Sequence, residues 1–180
     1  VEYYIDRQMK NGEWTDCPEK GARRYQYFLK KEMEVFAKLS AQFEDEYIFC
    51  WLDWDGDNIL MDGGIIDYGS IRQFGLYHHE YRFDDVQRYS TSITEQKNKA
   101  KQTVQTFAQL VDYLVTGERK PLKEFKKHKI LSDFEESFSQ AKNKNLLYKM
   151  GFNADQQVYL MKHHRKLIEE FRASFSYFEM

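Results

Sequence analysis

The stretch YIFCWLDWDGDNILMDGGIIDYGSIRQFG, residues 47–75, determines how the rest of the chain is interpreted. Short runs of strand-forming residues alternate in it with an acidic loop and a glycine turn. Its carboxylate and amide residues are crowded into a short span: Asp53, Asp55, Asp57, Asn58, Asp62 and Asp67. Carboxylates this close repel one another, so a fold that keeps them usually supplies a cation. The sequence therefore predicts a metal-binding site held on strands.

We expect three short strands within this stretch. Residues 47–52 are aromatic and aliphatic and predict a buried strand, and residues 59–61 and 65–66 predict the two strands of a tight hairpin. Asp62-Gly63-Gly64 is the expected turn, so Asp62 is assigned to the turn rather than to a metal. Asp55 is interpreted as a solvated loop residue.

Apolar residues spaced by three and four predict helices on both sides of this stretch. The expected helices span residues 23–42, 94–115, 131–150 and 154–175, with Gly117 as a C-terminal stop and Asn153 as an N-cap. Long helices around one small strand cluster predict a single domain over residues 1–180, mainly α with a small β-hairpin cluster. This arrangement is typical of the large lobe of a kinase-like (α+β) fold.

The composition predicts a globular protein without a global field of either sign. Hydrophobic residues make up 42% of the 180 residues, and 27 basic and 29 acidic residues give a net charge of −2. We therefore expect neither a nucleic-acid nor a membrane partner. The basic segment 118–130 is interpreted as a solvated helix face rather than a phosphate-binding patch, because Glu118 and Glu124 interrupt it. Cys17 and Cys50 form no metal-type pair, which suits a reducing, cytoplasmic compartment.

The acidic loop does not match a calcium-binding EF-hand. Counted from Asp53, positions 6 and 12 hold Asn58 and Gly64, where an EF-hand needs a glycine and a bidentate glutamate. ATP-dependent chemistry fits the spacing better.

Asn58 and Asp67 are the candidate ligands of Mg²⁺ (or Mn²⁺) beside ATP. A hairpin between them brings an amide oxygen and a carboxylate to one rim, as phosphoryl-transfer enzymes require. Protein kinases carry an Asp, four residues, an Asn and later Asp-Phe-Gly. Here Asp53 precedes Asn58 by the same spacing, and Asp67-Tyr68-Gly69 stands in the place of Asp-Phe-Gly. Arg72 is a candidate nucleotide-phosphate contact, with an ordinary salt bridge as its alternative.

The string DNILMDGGIIDYGS, residues 57–70, followed by RQFG, QRYS and TFAQLVDYLV, resembles the SelO family (selenoprotein O, also called YdiU) of kinase-like protein adenylyltransferases. The similarity covers roughly residues 45–117, and the chain departs from it at Trp51-Leu52, where the family has His-Gly. The resemblance implies transfer of AMP from ATP to Ser, Thr or Tyr hydroxyl groups of a protein. It implies Asp57 as the proton acceptor, and Asn58 and Asp67 as magnesium ligands.

Two alternatives stay open at the level of sequence. Asp53 stands where an aminoglycoside-type phosphotransferase keeps its base, so a small-molecule phosphotransferase is one of them. The other is a catalytically dead, kinase-like interaction module. No glycine-rich loop or strand-borne lysine precedes residue 23. We therefore expect the chain to be the large-lobe part of a longer nucleotidyltransferase, with little or no turnover as a fragment.

Overall fold

The computed structural model of the protein describes residues 1–46, 48–50, 58–66, 71–73 and 93–179. Their regular elements, in chain order, are α1 (Glu2–Lys10), α2 (Ala22–Asp45), β1 (Ile48–Cys50), β2 (Ile71–Gln73), α3 (Ile93–Thr116), a 3₁₀ helix (Leu122–Lys127), α4 (Lys129–Lys149), α5 (Ala154–His163) and α6 (Arg165–Glu179). Among the helices described, none combines the length and apolar character that a membrane crossing requires.

The central element is α2, which packs against both α3 and α4. The apolar stripe expected on this helix is buried, and its fully enclosed members are Phe28, Leu29, Met33, Phe36, Ala37 and Ala41. They meet small and β-branched residues of α3, namely Ala100, Val104, Ala108 and Val111. Burying a large aliphatic or aromatic side chain stabilises the fold by about 1.5–3 kcal/mol. The core therefore lies along α2, and other elements are arranged around it.

Ion pairs fix both ends of α2. Near its start, the buried guanidinium of Arg24 donates to Glu2 of α1 at 2.9 Å and to Asp6 at 2.5 Å. Near its end, the ammonium of Lys142 in α4 pairs with Glu44 at 3.0 Å and also with Asp45. Because β1 begins three residues after Asp45, the α4 contact also sets where the strand segment leaves the helix core.

Three of the four predicted helices are confirmed within a few residues at each end, as α2, α3 and α4. Gly117 has φ 72°, the left-handed conformation of a residue that ends a helix. Asn153 caps α5 as expected, and its side chain accepts from the amide of Gln156 at 3.0 Å.

The fourth predicted helix, over residues 154–175, is wrong as a single element. His164 has φ −133° and ψ 26°, and it separates α5 from α6. After the break, Ile168 of α6 is buried and Arg172 donates to the carbonyl of Ser139 in α4 at 3.1 Å. Periodicity alone does not register a break of one residue, because the apolar spacing continues across it.

The predicted fold class, mainly α with a β-hairpin cluster in a kinase-like α+β lobe, is wrong. In the described residues, helices supply almost all of the buried core. Strand pairing there is limited to the antiparallel ladder of β1 with β2, three residues each, and one isolated bridge between Ile59 and Ile65. Segments this short do not form a sheet layer on which helices pack. The surface that organises the fold is α2.

Candidate functional site

The chain reverses direction between Asn58 and Ile66, within the predicted site. The amide of Ile66 donates to the carbonyl of Asn58 at 2.9 Å, and the amide of Leu60 donates to the carbonyl of Gly64 at 2.7 Å. We call residues 58–66 the hairpin. The predicted reversal is confirmed, but the two predicted strands are wrong, since the arms pair through a single bridge.

The turn of the hairpin depends on Asp62 and Gly63. The carboxylate oxygen Oδ1 of Asp62 accepts from the amide of Gly64 at 2.9 Å, so the assignment of Asp62 to the turn is confirmed. Gly63 has φ 80°, a conformation that residues with a Cβ rarely adopt. The local sequence Asp-Gly-Gly thus provides both the side-chain acceptor and the backbone freedom that the reversal needs.

The hairpin packs on α2. A Cβ placed on Gly63 would lie 3.1 Å from Cγ1 of Val35 and 3.9 Å from Leu39. Ile59 is buried in the main core, and Met61 and Ile65 are partly buried against it. Backbone hydrogen bonds and this apolar contact together hold the position of Asn58.

Of the predicted site residues, Asn58 is the one whose side chain the structure describes, and it is 7% exposed. Asp53, Asp57 and Asp67 lie outside the described residues. Arg72 lies in β2, where its backbone is opposite Phe49 of β1. Their roles in proton transfer, metal binding and phosphate contact stay predictions.

Within the described residues, no group of three or more His, Cys, Asp or Glu side chains is placed to hold a metal ion. Asn58 faces Ile66, the residue that directly precedes Asp67 in the sequence.

A buried carboxyl group beside the hairpin was missed by the sequence analysis. Glu32 in α2 is fully buried, and neither of its oxygens has a hydrogen-bond partner among the described residues. Burial, with a smaller contribution from the charge of Asp62, raises the pKa of Glu32 to about 8. Glu32 is therefore a neutral carboxylic acid near pH 7. Its signal in the sequence is its position, four residues after Phe28 and four before Phe36, on the apolar stripe itself.

Tyr4 of α1 belongs to the same electrostatic environment. Burial raises the pKa of its phenol to about 12, and the carboxyl groups of Glu32 and Asp62 add to the increase. Tyr4 also packs edge-on against Phe28 with ring centroids 6.3 Å apart. Glu32 of α2 thus stays neutral near pH 7 because its apolar surroundings disfavour the charged form, and burial likewise makes the phenol of Tyr4 in α1 harder to ionise than an ordinary tyrosine.

Comparison with protein-family models, curated proteins and solved structures gives no match to this chain. The resemblance to the SelO family, carried by Asp57-Asn58 and Asp67-Tyr68-Gly69, stays a prediction.

Proposed function

We propose that the protein takes part in ATP- and Mg²⁺-dependent transfer of AMP to hydroxyl groups of a protein substrate. The observation that supports this best is the hydrogen bond from the amide of Ile66 to the carbonyl of Asn58. It pairs the two arms of the hairpin at the positions next to Asp57 and Asp67 in the sequence. A hairpin with this register can present an amide and carboxylates from opposite arms. The proposal concerns this chemistry and does not require an α+β lobe.

The proposed ligands fit the metal. Mg²⁺ prefers hard oxygen donors, and Asn58 and Asp67 provide an amide oxygen and a carboxylate. Asn58 is held in place by a backbone hydrogen bond of 2.9 Å and by burial, which lowers the entropy it loses on binding. When bound, the metal neutralises the charge of the nucleotide phosphates.

The remaining roles belong to side chains in the proposed site. Asp57 accepts the proton of the substrate hydroxyl as its oxygen attacks the α-phosphorus, and pyrophosphate leaves. Asp53 is the rival base. Arg72 contacts a phosphate of the nucleotide through its guanidinium. We place this activity in a reducing, cytoplasmic compartment, which is supported by the unpaired, buried thiol of Cys17.

Transfer of label from ATP tests the proposal. The complete translated protein that contains these residues is incubated with Mg²⁺ and ATP labelled at either the α- or the γ-phosphate. We expect label on protein from the α-phosphate and none from the γ-phosphate. Asn58→Ala and Asp67→Ala should each reduce labelling by about tenfold or more, because each removes a metal ligand. Asp62→Asn is the matched control, since it keeps the turn acceptor Oδ1 and removes a charge from the same hairpin.

Other outcomes would favour the alternatives. Label from the γ-phosphate on an aminoglycoside, lost in Asp53→Ala, would support a small-molecule phosphotransferase. Binding of Mg²⁺ and a non-hydrolysable ATP analogue can be followed by calorimetry. Equal binding by wild type and Asp67→Ala would contradict the catalytic proposal and favour an interaction module.

A further inference from the structure

A groove formed by residues that follow the hairpin in the sequence is lined by three lysines. It lies between α3 and the 3₁₀ helix, has a volume of about 510 Å³, and none of its lining residues is acidic. Lys101 reaches it from α3, and Lys123 and Lys126 reach it from the 3₁₀ helix. A 3₁₀ helix has about three residues per turn, so these last two lysines lie on one side of it. We call this surface the basic groove.

The lysines differ in their pairing. Lys101 binds Glu135 of α4 at 2.6 Å, so part of its charge is compensated. Lys123 and Lys126 are exposed and form no ion pair within the ranges that the structure describes. Glu124 lies on the same 3₁₀ helix but does not line the basic groove, so the groove wall itself carries two lysines that no described carboxylate pairs with.

The walls of the basic groove are fixed by hydrogen bonds. Gln105 of α3 donates to the carbonyl of Leu122 at 2.8 Å, and Gln109 donates to the carbonyl of Lys120 at 2.6 Å. Phe125 anchors the 3₁₀ helix in the core. The lysines therefore project from a backbone that is already ordered, which lowers the cost of binding.

The remaining lining suits a peptide. Asn98 and Gln102, one turn apart on α3, supply amide groups that can pair with a peptide backbone, and Leu131 supplies an apolar contact. The α3 wall from Asn98 to Gln105 is about 10 Å long at 1.5 Å per residue. About three residues of extended chain, at roughly 3.3 Å each, span this distance.

We propose that the basic groove binds an acidic peptide segment of a partner protein, with its carboxylates facing Lys101, Lys123 and Lys126. The charges favour this occupant over a single phosphate group. Lys123 and Lys126 are separated by about 6 Å along the 3₁₀ helix axis, at 2.0 Å per residue, and Lys101 comes from a different helix. Spaced cations match carboxylates at intervals along a chain, whereas one phosphate needs donors that converge on a point. The proposal is independent of the proposed transferase activity.

The test uses the whole chain labelled with ¹⁵N and three probes: a peptide of alternating Glu and Ser, its Gln-for-Glu counterpart, and inorganic phosphate. We expect the acidic peptide to shift the amide signals of Gln102, Lys123 and Lys126, and its affinity to fall as salt is added. The Gln peptide should leave these signals in place. Inorganic phosphate should shift them less than the peptide does at equal concentration.

Charge-reversed variants decide whether the groove itself binds. Lys123→Glu combined with Lys126→Glu should weaken binding of the acidic peptide by about tenfold or more, as measured by fluorescence anisotropy. The matched control is Lys20→Glu combined with Lys162→Glu, which changes the net charge equally at exposed sites outside the groove. Its affinity for the acidic peptide should stay within about twofold of the wild type. Far-ultraviolet circular dichroism checks that both variants are folded.

Four results would overturn the proposal. They are no binding of the acidic peptide, equal weakening in both double variants, signal changes confined to residues outside the basic groove, and inorganic phosphate acting as strongly as the peptide.

Discussion

Gly63 lies directly against Val35: a Cβ on this glycine would stand 3.1 Å from Cγ1 of the valine. This contact joins the turn of the hairpin to the middle of α2, the element on which α3 and α4 also pack. The position of Asn58 therefore depends on a close approach of backbone to side chain that any residue larger than glycine disturbs.

Replacing Gly63 with alanine should destabilise the protein by about 1–3 kcal/mol, because both the left-handed backbone and the contact with Val35 become strained. The free energy of unfolding in urea measures the loss. Gly12→Ala is the matched control, since Gly12 has φ 77° and nothing within 4 Å of the added Cβ. We expect a smaller loss there, of about 1 kcal/mol, from the backbone alone. Equal losses in the two variants would show that the contact with Val35 has no energetic weight.

Glu32 should make the stability of the protein depend on pH. Its pKa is about 8 in the folded state and 4.5 in an ordinary exposed carboxyl group, so folding takes up a proton between these values. The contribution of Glu32 is fully present below about pH 4.5. This contribution to stability is lost progressively as the pH rises toward 8. The ionisable groups that interact with the Glu32 carboxyl from other elements are Asp62 of the hairpin and Tyr4 of α1.

Glu32→Gln should therefore raise the free energy of unfolding near pH 7 by about 1–3 kcal/mol and have little effect near pH 4.5. Urea unfolding across this range gives both values. Glu34→Gln is the control on the same helix, where the carboxylate pairs with Lys31 at 3.5 Å near the surface. A pH profile of Glu32→Gln that runs parallel to the wild type would contradict a raised pKa for Glu32.

The sequence predicts the helices better than the strands for a physical reason. The stripe through Phe28 and Phe36 repeats over many turns, so each residue adds to the signal. The segment around Ile59 has a few apolar residues only, and such a run is equally compatible with a strand, a bridge or a buried loop. Such a run becomes a strand only where a second segment pairs with it along several residues. In the described residues, the segment around Ile59 pairs through one bridge, to Ile65.

Within the candidate site, contacts between residues close in the sequence were predictable, and contacts between distant segments were not. The role of Asp62 follows from the turn sequence Asp-Gly-Gly, in which its side chain bonds an amide two residues on. The position of Glu32 on the apolar stripe of α2 indicates that it is buried, but its raised pKa depends on groups from α1 and the hairpin meeting the same side of α2, which the stripe does not encode. The roles of Asp57 and Asp67 rest on the sequence alone.

The ion pairs at the end of α2 should contribute to stability. Lys142 is 15% exposed and serves both Glu44 and Asp45, so its removal leaves two partly buried carboxylates without their cation. Lys142→Met should lower the free energy of unfolding by about 1–3 kcal/mol, since the methylene packing is kept while the charge is lost. The control is Lys166→Met, which removes an exposed ion pair with Glu170 at 3.8 Å. Its free energy of unfolding should change by less than about 0.5 kcal/mol. Similar losses in both variants, measured by urea unfolding, would show that the Lys142 cluster behaves as surface charge.

The cap of α5 should act locally. Asn153 accepts from the amide of Gln156, and the side chain of Gln156 accepts from the amide of Asn153 at 2.9 Å. Asn153→Ala removes the first acceptor and therefore leaves the amide of Gln156 unpaired, while the backbone amide of residue 153 keeps its bond to Gln156. We expect a loss of about 1 kcal/mol and faster hydrogen exchange at Gln156, while the amides of α2 keep their protection. Lys162→Ala, an exposed change in the last turn of the same helix, should alter neither quantity. Unchanged exchange at Gln156 in Asn153→Ala would mean that packing against α4 alone holds the first turn, since α5 also contacts that helix.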